Sequence, residues 1–268
     1  MNIKIPQDHP RAESLRIRER LIENYLKGIV AQAGLIAHGR GEAFDYLLGE
    51  KTTKPALKAI KAAAAALLTA KKPVISVNGN TAALTAEDVV KLAEVTNAKI
   101  EVNLFYRSVE REIAIKKLLE NAGASEVLGV GDAASARIPE ISSERRRVDP
   151  RGILTADVVL VPLEDGDRTE ALVKMGKRVI AIDLNPLSRT AQKALITIVD
   201  NVVRAMPKLV EVAEEMKMGG VDKCREVLAK FDNERNLAES IKIILQRLSK
   251  IVEKGEIINL GEKPFEFQ

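Results

Sequence analysis

Three clusters of acids and amides, Glu164-Asp165-Gly166-Asp167, Asp183-Leu184-Asn185-Pro186 and Asp200-Asn201, each follow directly on a short run of Val, Ile and Leu (158–161, 179–182 and 196–199). Continuous apolar runs of this length suit parallel strands buried on both faces. In open α/β sheets ligands collect beyond the carboxyl ends of such strands. Three polar tips in one stretch of chain therefore describe one site. At such a tip Asp183 can accept hydrogen bonds from ribose hydroxyls. Asn185-Pro186 turns the chain, and Leu187-Ser188-Arg189-Thr190 then offers backbone N–H groups, two hydroxyls and a guanidinium, which suits a polyphosphate. The same residues also suit a plain capped turn with Ser188 as the cap, and on their own they decide neither. Glu164, Asp165 and Asp167 could hold Mg²⁺ through one or two carboxylates plus phosphate oxygens, or attract an ammonium group. Helix capping accounts for one of the three.

A second chemical segment is His38-Gly39-Arg40-Gly41-Glu42. Glycines on both sides of an arginine allow unusual dihedrals and close approach of the backbone, so a loop is expected at 38–41 with a short helix at 42–48. Arg40 is a phosphate-binding candidate. His38 is the loop's candidate for proton transfer near neutral pH, and a hydrogen-bonded structural imidazole is the alternative. The arginines at 137, 145–147 and 151 could recognise phosphate, but a charge run most simply reads as a solvated loop. There is no GxxxxGK[ST] and no GxGxxG after a strand, so a nucleotide would be gripped by side chains and helix ends instead of a glycine cradle. The single cysteine, Cys224, lies on an apolar helix face and reads as core. With two histidines far apart, no zinc set is expected.

Composition sets the frame. Apolar residues make up 46% and charged residues 30% of 268, which fits a folded α/β protein with a substantial core. With five Phe, three Tyr and no Trp that core must be aliphatic, and there are few platforms on which nucleic-acid bases could stack. The net charge of +4 permits anionic ligands without demanding nucleic acid. No basic-then-apolar leader opens the chain and no apolar run is long enough to span a bilayer, so a cytoplasmic protein is expected. Abundant Lys, Arg and Glu also suit a thermophile.

Periodicity predicts the elements that position these residues. A helix is expected at 11–30 after the start signal Pro10, and another at 54–70 through five consecutive alanines. A strand at 73–77 meets a turn at Asn78-Gly79-Asn80, and a helix at 85–96 is expected to start from Thr85. Further strands are expected at 99–104 and 127–130, and helices at 108–121 and 167–175. A short connection is expected at 187–195, then helices at 202–217, 221–231 and 234–253, and a small strand at 256–260. Alternating strands and helices imply a Rossmann-like, mostly parallel sheet flanked by helices, with an added helical N-terminal segment. The whole of 1–268 is expected to form one domain.

The blocks GLIAHGRGEAFDYLLGE (34–50), ADVVLVPLEDGDRTEALVKMGK (156–177), VIAIDLNPLSRTAQ (179–192) and TIVDNVVRA (197–205) together resemble the archaeal phosphopantothenate synthetase family, the 4-phosphopantoate–β-alanine ligases. The resemblance covers nearly the full chain. It implies an ATP-dependent ligase of coenzyme A biosynthesis that joins 4-phosphopantoate to β-alanine and releases AMP and pyrophosphate, acting with Mg²⁺ as a homodimer. Carried onto this sequence, the family's ATP contacts fall on Arg18, Arg40, Asp183, Leu184, Asn185, Arg189, Thr190, Asn201 and Val202. His38, Glu164, Asp165 and Asp167 are candidates for deprotonating the incoming amine. No binding role passes to the arginines of 142–151. A nucleotide-binding regulator without turnover is the competing reading.

Overall fold

The computed structural model describes residues 5, 6, 8, 9, 11–163 and 165–254. Glu164, Pro10 and the strand expected at 256–260 therefore lie outside the described residues. Five strands form one sheet: β1 (Pro73–Val77), β2 (Lys99–Val102), β5 (Val158–Pro162), β6 (Arg178–Ile182) and β7 (Ile196–Ile198). Every pairing in it is parallel, in the order β2-β1-β5-β6-β7. The chain leaves β1 for one edge and then returns to β1's other side, so the order reverses between β1 and β5. Such a reversal opens a crevice at the strand carboxyl ends.

Alternation along the strands divides the core in two. Ile75, Val77, Leu160, Ile180, Ile182 and Ile198 face a large cluster with α3 (Lys54–Leu68), α4 (Gly79–Thr96) and α8 (Val202–Gly219). The five alanines 62–66 are fully buried there, letting helix backbones approach closely. Val74, Val159, Val161, Val179 and Ala181 face the other way. They pack on α6 (Gly166–Lys174) and on Ile138, Ile141, Val148 and Ile153. α5 (Val109–Asn121) follows β2 and is capped by Ser108. α9 (Val221–Ala229) and α10 (Asn233–Lys254) close the described chain. Cys224 is buried, as a core residue should be.

Several boundaries differ from the sequence expectation. The segment 38–41 is no loop: α2 runs unbroken over Gln32–Leu48 and ends at Gly49, whose φ of 90° gives the left-handed stop. Gly34 and Gly41 face neighbouring elements, while Gly39 faces open space. Gly34 lies against Asn80, whose Nδ2 donates to the Gly34 carbonyl at 2.8 Å. α4 begins at Gly79, capped by Asn78, and Thr85 marks a kink inside it and not its start. At 127–130 only an isolated bridge, Glu101 to Leu128, is formed. The arginine-rich segment holds a small antiparallel pair, β3 (Ala136–Arg137) with β4 (Arg147–Val148). The connection 187–195 contains the short helix α7 (Arg189–Lys193), and α1 covers Ala12–Leu26. None of the described helices is long and apolar enough to cross a membrane.

Candidate active site

α2 lies across the carboxyl ends of β6 and β7, held by two faces of its own. One face is apolar: Leu48 and Phe44 join Leu184, Ala191, Val199 and Leu237 in a separate small cluster. A methyl added at Gly41 would stand 3.5 Å from Leu184 Cδ1, so the helix rests on the β6 tip. The other face is ionic. Asp45, buried on α2, accepts from Arg204 Nη2 at 2.5 Å and Nη1 at 3.1 Å, and from Asn201 Nδ2 at 2.9 Å. Arg204 also donates to Asp200 at 2.7 and 3.0 Å, and Thr52 Oγ1 donates to Asp200 at 2.6 Å. Burial raises the Asp200 carboxyl above its ordinary range, against the pull of Arg204 and Thr52. This clasp ties α2 and its following turn to the β7–α8 junction.

The β6 tip is a built turn. Asp183 accepts from the Asn185 N–H at 2.9 Å and, at short range, from the Ser188 hydroxyl. Ser188 Oγ in turn caps α7 by accepting from Ala191 N at 2.9 Å. Burial pushes the Asp183 carboxyl up. The Ser188 and Asn185 hydrogen bonds and the charge of Arg40 act the other way, so the Arg40 guanidinium lies within electrostatic reach of Asp183. Thr190 is buried in α7 and Leu184 beneath α2. Asn201 caps α8 by accepting from Val203 N at 3.3 Å, with Val202 buried as that helix's first residue. Arg40 itself is exposed.

Arg18 reaches α2 from α1, donating to Glu42 at 2.7 Å through Nη2. Against the cost of burial, Arg18 and Tyr46 hold Glu42 below the ordinary carboxylate range. His38 lies one turn before Glu42 and faces a cavity of about 20 Å³ lined by Glu13, Ser14, Ile17, Asp45, Asn201 and Arg204. That is room for one water. Its Nε2 is buried without a hydrogen-bond partner among the described residues, and burial lowers its pKa, so at neutral pH it is an uncharged imidazole.

Asp165 caps α6, accepting from Arg168 N at 2.9 Å, and its other oxygen stands 3.2 Å from Arg145 Nε. Arg145 is only 8% exposed, so this arginine at least does not belong to a solvated charge run. Asp167 is exposed and pairs with Arg189 at 2.7 Å, while Gly166 abuts the Arg189 backbone. Leu163, just after β5, takes a left-handed φ of 55°, a strained conformation of the kind that gathers at functional tips. At the neighbouring tip Asn78 Nδ2 donates to the Pro162 carbonyl at 2.9 Å, joining β1 to β5 across the reversal of strand order.

The structure thus places Leu184 under α2, Asp183 and Asn185 in the same β6 turn, and Asn201 and Val202 at the β7 tip, with Arg40 exposed on α2 within electrostatic reach of Asp183. Arg18 approaches from α1, and Arg189 turns toward the α6 acids. His38 shares its α2 face with Glu42 and Asp45, beside the cavity that Asn201 and Arg204 help to line. Sequence reasoning missed Asp45, Arg204 and Asn78, and the burial of Arg145. Asp45 carried a signal: it lies three residues beyond Glu42, on one helix face, but only once the helix is known to be continuous. Among the described residues no group of three or more His, Cys, Asp or Glu could hold a metal. Asp165 and Asp167 already carry arginine partners, so they do not form a ready cation cage.

These features define an open α/β protein whose candidate site residues lie at the carboxyl ends of a parallel sheet, with one helix packed over the last two strands. The family model described as phosphopantothenate/pantothenate synthetase matches residues 55–247. A 4-phosphopantoate–beta-alanine ligase of Thermococcus kodakarensis is 52% identical over 254 residues, covering 94% of this chain and 97% of that relative. The enzyme of that name from Methanosarcina mazei is 54% identical over 244 residues, 91% of this chain and 95% of its own. The one from Methanospirillum hungatei is 46% identical over 249, 93% and 100%. The chain belongs to the phosphopantothenate/pantothenate synthetase family.

Proposed function

We propose that this chain condenses 4-phosphopantoate with β-alanine at the expense of ATP, giving 4′-phosphopantothenate, AMP and pyrophosphate, a step of coenzyme A biosynthesis. The observation that carries the reading is the roof helix. It rests Gly41 on Leu184, brings Arg40 within electrostatic reach of Asp183 and ties Asp45 to Asn201, so that residues far apart in sequence meet at the strand tips without any glycine cradle. ATP is assigned to the β6–β7 side, with Asp183 on the ribose and Arg40, Arg18, Arg189, Thr190 and the 184–185 and 201–202 backbone around the phosphates. Arg145 and its segment stand toward the β1–β5 side, which is left for the phosphorylated acid.

The chemistry follows from the reactants. A carboxylate is a poor acyl donor, so its oxygen first attacks the α-phosphorus; the bond to the β-phosphate oxygen breaks and pyrophosphate leaves. The amine of β-alanine then attacks the acyl carbon, the C–N bond forms, the C–O bond to AMP breaks, and the amine's extra proton goes to a base. Both steps crowd anions together, so the arginines' work is positioning and charge stabilisation. Neutral His38 has the protonation state a base needs and its cavity is lined in part by Asn201, while Asp165 and Asp167 at the β5–α6 tip are the other candidates. Mg²⁺ belongs to the proposal as a companion of the triphosphate. A homodimer, a cytoplasmic location and the working of 1–268 as a single domain are likewise part of it.

A regulator that binds ATP without turnover is not favoured, since relatives sharing about half their residues over nearly the whole chain are named as ligases. The test is to incubate the protein with ATP, Mg²⁺, 4-phosphopantoate and β-alanine and identify products by mass. AMP and 4′-phosphopantothenate are expected, and an acyl-adenylate when β-alanine is omitted. ADP as the nucleotide product, or no turnover, would overturn the reading.

A further inference from the structure

β2 breaks the apolar rule of its own sheet. Ile100 and Val102 enter the large core, while Glu101 and Asn103 point the other way and are both fully buried. Burying such groups is costly unless each finds hydrogen bonds. Both carboxylate oxygens of Glu101 and the amide nitrogen of Asn103 find them on the backbone of one covering segment, 129–153, while Asn103 Oδ1 has no partner among the described residues. Glu101 accepts from Asp149 N at 2.9 Å and Ile153 N at 2.5 Å. Asn103 Nδ2 donates to the carbonyls of Arg145 at 3.1 Å and Arg147 at 3.0 Å. The segment sits directly on Glu101: a Cβ at Gly129 or at Gly152 would run into the Glu101 side chain. Arg107 adds a bond from Nη2 to the Gly129 carbonyl at 2.7 Å, and Glu112 accepts from Gly131 N at 2.6 Å.

The segment is anchored on the sheet by Ile138, Ile141, Val148 and Ile153, but toward β2 it hangs on these polar side chains, the only ladder contact there among the described residues being the bridge at Leu128 just before it. Apolar side chains would fill that space at less cost but would not specify one placement. What the placement delivers is Arg145, carried to Asp165 at the α6 cap, beside the β1–β5 crevice.

We infer that Glu101 and Asn103 are positioning residues for the ligation, acting through the 129–153 segment to set Arg145 against Asp165 and so fix the β5–α6 tip. The inference rests on the ligase reading for its kinetic test but not for its structural one. Asn103→Leu removes both donors at similar volume, and Glu101→Gln weakens the other pair of bonds. Hydrogen exchange is read first, in the full chain without substrates. Asn103→Leu should speed exchange not only near 145–147 but at the Arg168 amide, which Asp165 caps. A change confined to 145–153 would overturn the inference whether or not the protein is a ligase.

With the wild type shown to form 4′-phosphopantothenate, Asn103→Leu should lower kcat/KM for 4-phosphopantoate by about tenfold to a hundredfold, as misplacement of about an ångström does. KM for ATP should stay within about twofold, a split that general loosening would not give. Arg145→Lys should reproduce that split, and the double variant should be no worse than Arg145→Lys alone. Additive losses, or equal losses for both substrates, would refute the linkage. Should Asn103→Leu fail to fold, Glu101→Gln and Arg145→Lys carry both measurements on the same criteria.

Discussion

Arg204 stands between two carboxylates, and removing it tests how the roof helix is held. Its side chain is 18% exposed, against 6% for Asp45 and 1% for Asp200. Arg204→Met keeps the stem but strips the charge, leaving two buried acids facing one another. Breaking a buried ion pair from one side costs about 3–5 kcal/mol. Here Asp45 keeps the Asn201 amide, and Asp200 keeps Thr52 and the Asn201 N–H, so the lower end, about 3 kcal/mol, is expected at pH 8. Without the cation the facing pair should take up one proton, raising a carboxyl pKa further. A native-state pKa raised in this way stabilises at low pH and loses its contribution as pH rises through the raised value. The deficit should therefore shrink toward pH 5. Urea unfolding of both proteins at pH 8 and pH 5 measures it. A deficit below about 1 kcal/mol, the level of an exposed pair, or one independent of pH, would refute the clasp. Because α2 carries Arg40, the KM for ATP should rise in the same variant.

Arg40→Ala should cut kcat/KM for ATP by about tenfold to a hundredfold, the worth of one charge-assisted contact; near-normal turnover in a coupled assay would remove it from the site. Asp183→Ala should chiefly raise KM for ATP, by about tenfold on the same scale, and an unchanged KM would end the ribose assignment. Glu101, pushed up to about 7 by burial against an ordinary 4.5, holds a native proton that the unfolded chain releases. Its stabilisation is present below 4.5 and lost as pH rises through about 7, by roughly 3 kcal/mol at most. Glu101→Gln should flatten that fall in urea unfolding, and a wild-type slope retained in the variant would contradict it.

The parallel strands were readable because burial on both faces leaves uninterrupted Val and Ile runs, and their polar ends marked the tips on which α2 and α7 are built. What misled was glycine. Gly39 and Gly41 argue for a loop in any local reading, yet α2 stays helical because its contacts with Leu184, Arg204 and Asn201 come from residues some 140 or more positions later. The same reason hid Asp45. An arginine run looks solvated until Asn103 and Asp165, distant in sequence, claim Arg145. Thr85 resembled a cap, but Asn78, two turns earlier, offered its oxygen to Thr81 N and took the role. Local chemistry thus named the strand tips, while long-range pairs decided what covered them.

The unbroken course of α2 has a consequence for how nucleotide would be captured. A cation mounted on a stiff rod, pinned at one flank by grease and at the other by a guanidinium staple, arrives in place before any ligand does. The backbone under Arg40 does not have to coil into a helix on each encounter, so the entropic penalty of ordering that segment is absent.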